Sequence, residues 1–179
     1  MSREPCRKMT VRAAPGAEPW AVRPEDAARI SCLLSRDVNV DYWPRSNVHQ
    51  VWARRHGEPL PVDPWSFRAW SAGDRATLFV DGSETYESAL WLLLHELAHL
   101  DLVSSTLLHR AYRLAKKPPG YLSSDQAHES HPEEQMANFV ATSSLPLIGH
   151  PSFAYDRLWW RRRMFLDRIT RRGGDTARL

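Results

Sequence analysis

The 179-residue chain contains only two cysteines, Cys6 and Cys32, and no long apolar run. Two cysteines in a chain of this size do not make a disulfide scaffold, so we expect two reduced thiols. The polar start, MSREPCRKMT, lacks the apolar region of a secretory signal peptide. No segment approaches the roughly 18–20 apolar residues that span a bilayer. These absences argue against a membrane protein and favour a cytoplasmic one.

The chain also lacks a strong excess of charge of one sign. Its net charge is +3, so the whole molecule is not a polycation. The hydrophobic fraction of 42% and the charged fraction of 25% are ordinary for a globular protein that buries a core. We expect a flexible N-terminal tail over residues 1–20, a single domain over 21–172 and a short tail over 173–179.

Periodicity predicts an α+β fold. The predicted elements are a helix over 24–36, a short strand over 38–43, a β-hairpin whose turn is 71–74, a helix from about 85 to 104 or beyond, and a helix over 131–145. Segment 48–55 is ambiguous between helix and strand. The helix that begins near Thr85 is apolar on most sides, which is typical of a central helix. We therefore expect a small antiparallel sheet packed on this helix, with further helices around it.

Two histidines and a glutamate interrupt the apolar helix as His95-Glu96-Leu97-Ala98-His99. Residues four apart on a helix lie one above the other, so both imidazoles can bind one metal ion. Nitrogen ligands suit zinc. Glu96 lies about 100° round the helix from His95 and can act as general base on a water without binding the metal. The motif thus predicts a catalytic site with one zinc ion per chain.

Catalytic zinc needs a third protein ligand. A metzincin would carry glycine and histidine where this chain has Leu102 and Ser105, so that class is excluded. The preferred third ligand is Glu134, because Asn138 follows it by one helical turn and can orient a ligand histidine. Glu133 stays open as the alternative, although Ser130 and Glu133 also fit a capping box.

These motifs together resemble a known family. A strand over 77–80, then "ESALWLLLHELAHL", then "EEQMANFVATSSLP" is similar to the ImmA/IrrE-type metallopeptidases of the gluzincin group. The resemblance covers about residues 65–147. It implies a zincin-like fold, the zinc ligands His95, His99 and Glu134, and Glu96 as catalytic glutamate.

The resemblance also implies how the enzyme acts. Such a peptidase is cytoplasmic and cleaves a regulatory protein, often a DNA-binding repressor, at a limited site. In gluzincins the substrate pairs with the edge strand beside the metal-binding helix, which would involve 76–80 here, with Thr77 and Phe79 in contact. The developing oxyanion needs a donor besides zinc. The candidates for that donor are Tyr121, His128, His131, His150 and Tyr155.

The basic C-terminal segment offers a second function. Arginines are dense over 157–172, and Trp159 and Trp160 could stack on bases. The chain would then be a nucleic-acid-binding protein with a structural or inactive zinc site. The simpler interpretation is an amphipathic helix whose arginines face solvent. Glu96 beside two ligands argues against a purely structural site, because structural zinc uses four protein ligands and no base.

Overall fold

The structure is a computed structural model that describes residues 6–62, 67–100 and 132–151. The chain divides into two compact units, Met1–Val103 and Ser104–Leu179. In the described residues, the first unit has a four-stranded sheet and three α-helices, and the second unit has one α-helix. The fold is therefore mixed α and β, as the sequence predicts. The single domain expected over 21–172 stays a prediction.

Four strands form one sheet in the order β1-β2-β4-β3. They are β1 (Met9–Ala13), β2 (Val38–Pro44), β3 (Ala69–Ala72) and β4 (Arg75–Val80). The pairs β1–β2 and β2–β4 are parallel, and only β3–β4 is antiparallel. The prediction of an antiparallel sheet is therefore wrong. Helices lie in the connections β1–β2 and β2–β4, and such crossovers return the chain to run in the same direction.

The N-terminal segment is part of the sheet. Strand β1 lies within the predicted tail, and its register with β2 begins where Met9 pairs with Val38. Just before it, the backbone N–H of Arg7 donates to the Ser31 carbonyl at 3.0 Å. A disulfide joins Cys6 to Cys32. The prediction of a flexible tail over 1–20 is therefore wrong at 9–13, and the prediction of reduced thiols is also wrong.

The described residues form four α-helices: α1 (Pro24–Ser31), α2 (Val48–His56), α3 (Tyr86–His99) and α4 (Pro132–Ser144). The helix α1 ends before the predicted residue 36. The ambiguous segment is α2, and it ends at Gly57, whose φ of 71° suits a glycine. The predicted continuation of α3 beyond Leu100 lies outside the described residues. Among the residues described, no helix is both long and apolar enough to cross a membrane.

One sheet face packs on α2. Phe79 of β4 belongs to a buried cluster with Val48, Val51 and Trp52 of α2. Side chains alternate along a strand, so Leu78 and Val80 lie on the other face, where both are at most 1% exposed. The helix α3 contacts β3 and β4 and buries most of its own residues. We infer that α3 covers this second face.

A short turn leads from β4 into α3. Thr85 is the N-cap, and its hydroxyl accepts a hydrogen bond from the Ser88 backbone N–H at 3.1 Å. This cap stabilises the first turn of α3. Ser83, two residues earlier, donates its backbone N–H to Asp81 at 2.8 Å.

Candidate metal centre

The helix α3 places polar groups inside an apolar core. His95 is 8% exposed and Glu96 is 6% exposed, while their neighbours Leu93, Leu94 and Leu97 are fully buried. Buried imidazole and carboxylate groups are costly unless a hydrogen bond, a charge or a metal satisfies them. The side chains of His95 and Glu96 therefore need a hydrogen bond, an opposite charge or a metal ion to offset the cost of burial.

The two histidines point at the same place. The Nε2 atoms of His95 and His99 lie 3.0 Å apart, and the ring centroids lie 4.7 Å apart. Two nitrogen ligands of a tetrahedral zinc ion, each about 2.0–2.1 Å from the metal, lie about 3.3 Å apart. The separation on α3 is close to that value. An N–H···N hydrogen bond would also fit it, with one imidazole as donor.

His95, His99 and Glu134 form a group of three possible ligands. Their donor atoms all lie within 4.8 Å of one another, so the group could hold a metal ion. These are the three ligands that the sequence predicts. The set of two imidazoles and one carboxylate suits zinc and other transition metals more than calcium or magnesium, which prefer oxygen.

Glu96 is the buried carboxylate between the two histidines in sequence. The residue as a whole is 6% exposed. It lies three residues before His99, and side chains three apart share one side of a helix. A carboxylate next to a group of possible ligands is a candidate proton acceptor.

The start of α3 is anchored from the N-terminal part of the chain. The Tyr86 hydroxyl donates to Asp26 at 2.6 Å and accepts from the Arg23 backbone N–H at 3.1 Å. Burial raises the pKa of the Tyr86 hydroxyl, and the hydrogen bond to Asp26 raises that pKa further. The Trp20 indole N–H donates to the Glu84 carbonyl at 2.9 Å. Sequence analysis missed these anchors because no local motif links residues sixty positions apart.

The predicted substrate contacts do not lie at an edge. The strand β4 pairs with β2 on one side and β3 on the other, so it is an inner strand. Thr77 is fully buried and Phe79 is 1% exposed. A peptide cannot pair with 76–80, and the prediction of Thr77 and Phe79 as substrate contacts is wrong.

The remaining predicted residues belong to the second half of the sequence, which the structure describes only over 132–151. Asn138 is half-buried one turn after Glu134, and its role towards a ligand histidine stays a prediction. The Glu133 side chain lies outside the described part of α4, and so does Ser130, so their capping box is not tested. Of the oxyanion candidates only His150 is described, and it is half-buried. The basic segment 157–172 lies outside the described residues.

Comparisons of the chain with protein-family models, with curated proteins and with solved structures found no match. Any functional assignment therefore rests on the site and on the sequence motifs.

Proposed function

We propose that this chain is a zinc-dependent metalloendopeptidase of the gluzincin type, similar to the ImmA/IrrE peptidases. One observation carries the proposal. His95, His99 and Glu134 offer three ligand atoms within 4.8 Å of one another, and the Nε2 atoms of the two histidines are 3.0 Å apart. Three protein ligands are what a catalytic zinc site uses, since a fourth position must stay open.

The ligand set fits zinc. Two imidazole nitrogens and one carboxylate oxygen are the ligands of many zinc peptidases. His95 and His99 would hold the ion from α3, and Glu134 would complete the set. When bound, zinc would activate a water molecule and polarise the carbonyl of the scissile peptide bond.

Glu96 would move the proton. Its carboxylate lies on α3 three residues before His99, so it could accept a proton from the attacking water. The same carboxyl group would then return the proton to the amine that leaves.

The outer edge of β3 offers a place for an extended substrate. The Phe79 N–H donates to the Arg68 carbonyl at 2.8 Å, so Arg68 and every second residue after it point their backbone groups towards β4. The backbone groups of Ala69 and Ser71 therefore point outwards. No described residue pairs with that edge. A peptide could add to it as a further strand.

Substrate identity and location rest on the resemblance alone. A regulatory protein, such as a DNA-binding repressor, cut at a limited site is the substrate class that the ImmA/IrrE likeness implies. The cytoplasmic location stays a prediction. The Cys6–Cys32 disulfide is the observation against it, because stable disulfides are rare in the cytosol.

Cleavage of a peptide library derived from a proteome digest tests the proposal. We expect the zinc-loaded wild-type chain to generate new peptide termini, detected by mass spectrometry, and a chelator to stop this until zinc is restored. Glu96→Gln should reduce the rate by about a hundredfold or more, because it removes the proton acceptor. Glu87→Gln on the first turn of α3 is the matched control and should cleave at the wild-type rate. No cleavage by the zinc-loaded wild type would contradict the proposal.

A further inference from the structure

Three aromatic rings lie in a row along one side of α3. Trp91, His95 and His99 follow one another at intervals of one turn. The indole of Trp91 lies 5.4 Å from the His95 ring centroid, with 31° between the ring planes. The His95 ring in turn lies 4.7 Å from the His99 ring, at 77°. Both of these ring contacts are made within one helix.

Trp91 is unlike its neighbours on α3. Leu90 is 1% exposed and Leu92 is 8% exposed, whereas Trp91 is only half-buried. The Trp91 side chain is therefore partly accessible to solvent, whereas Leu90 and Leu92 lie in the core. An indole in this position covers part of one face of the His95 ring.

A second tryptophan–histidine pair clarifies what the contact does. Trp52 and His56 on α2 have the same spacing, and their rings stack with centroids 3.9 Å apart. Ring packing is thus a consequence of the spacing on a helix. On α3, unlike α2, a second imidazole follows one turn after the packed histidine. The orientation of the His95 ring therefore decides whether its Nε2 atom points towards His99.

We propose that Trp91 is a positioning residue for the metal centre. The terminal torsion of a histidine side chain is broad, so a free imidazole samples many ring orientations. The indole restricts the His95 ring to the orientation in which its Nε2 lies 3.0 Å from that of His99. Less ordering entropy is then lost when both nitrogens bind one ion. This inference rests on the proposed zinc site.

Metal affinity of non-aromatic variants tests the proposal. We would measure the zinc dissociation constant by competition with a chromophoric chelator, and the visible absorption of the cobalt(II) form, for wild type, Trp91→Leu, Trp91→Met and Trp91→Phe. The two non-aromatic variants should bind zinc about tenfold more weakly, as is usual when a partner that orients a ligand is lost. The visible absorption bands of their cobalt(II) forms should also differ from those of the wild type. Trp91→Phe keeps a ring and should stay within about twofold of wild type.

Trp43→Leu is the control for general loss of packing. Trp43 is also half-buried, and it lies on β2 against the α2 cluster. Its substitution should lower the melting temperature and leave zinc affinity and the cobalt spectrum unchanged. Wild-type affinity in Trp91→Leu and Trp91→Met, or equal weakening in Trp43→Leu, would overturn the role of Trp91. Failure of the wild type to bind zinc would instead contradict the proposed function itself.

Discussion

A single carboxylate organises the turn between β4 and α3. Asp81 accepts a hydrogen bond from the Ser83 backbone N–H at 2.8 Å, and one from the Ser83 hydroxyl. Arg45 Nε lies 2.9 Å from the other carboxylate oxygen. The hydrogen bonds from Ser83 lower the pKa of Asp81, and the charges of Arg45 and Arg68 lower it further. The turn before α3 is therefore more stable with Asp81 ionised.

This preference predicts a pH dependence of stability. A carboxyl group whose pKa is depressed in the folded state stabilises the fold above its unfolded pKa of about 3.9. That contribution is lost as pH falls through the folded pKa. We expect Asp81→Asn to lower the free energy of unfolding at pH 7, with the difference from wild type shrinking below about pH 4. Urea unfolding at a series of pH values measures this.

Ser83→Ala is the matching variant for Asp81. It removes the hydroxyl donor and keeps the carboxylate, so it should show part of the Asp81→Asn effect in the same pH range. The contrary result is that the free energies of unfolding of Asp81→Asn and wild type differ by the same amount from pH 7 to below the pKa of Asp81. That result would contradict the assigned role of the charge.

Local spacing made the histidine pair predictable. The positions of His95 and His99 on one face of a helix follow from helical geometry, and the structure places their Nε2 atoms 3.0 Å apart. The anchors of Tyr86 were not predictable, because Asp26 and Tyr86 are sixty residues apart in sequence and meet only in the fold. Spacing within one element carries such information, whereas the packing between elements does not.

At the scale of elements, the sequence predicted β2, β3 and β4 but missed β1 and the order of the strands. The sequence indicates a hairpin with its turn at 71–74, and the structure confirms the hairpin as β3 and β4. The turn is shorter than predicted, because β3 extends to Ala72 and only Gly73, with a φ of 64°, and Asp74 connect the strands. Nothing in the pattern of β4 reveals that β2 would pair with its far side. The inner position of β4 arises from a parallel crossover connection. The edges of the described sheet are those of β1 and β3, and the edge next to β4 is that of β3.

The outward backbone of β3 can be tested with proline. Ser71→Pro removes a backbone N–H that points away from β4, so the bonds between the two strands should survive. If the substrate pairs with this edge, kcat/KM for library peptides should fall about fivefold to tenfold, the worth of about one hydrogen bond. Zinc content should not change.

Ser71→Ala is the control for this substitution, because it removes the hydroxyl and keeps the N–H. It should cleave as wild type does. Equal kcat/KM values for Ser71→Pro and Ser71→Ala would show that substrate does not pair with β3.

At the scale of the molecule, a disulfide joins the N-terminal segment to the end of α1. Cys6 and Cys32 are 26 positions apart, and the closed loop contains β1. Composition alone could not reveal this pairing, because two cysteines fit reduced thiols equally well. The bond restricts the unfolded chain, which is how most disulfides stabilise a fold.

Reduction should therefore lower stability without removing the metal ligands. For a loop of this length, the chain-entropy estimate is a loss of about 3.5 kcal/mol in the free energy of unfolding. Urea unfolding with and without a metal-free phosphine reductant measures the loss. The double variant Cys6→Ser/Cys32→Ser should resemble the reduced wild type and be insensitive to the reductant. An equally stable reduced wild type would contradict the estimate.

The metal site is the central claim, and zinc content tests it most directly. Elemental analysis of purified, metal-replete protein should find close to one zinc ion per chain in wild type. Glu134→Ala should lose most of that zinc, because one of three protein ligands is gone. Glu133→Ala, the adjacent carboxylate, should keep it. No zinc in wild type, or equal zinc in wild type and Glu134→Ala, would contradict the account.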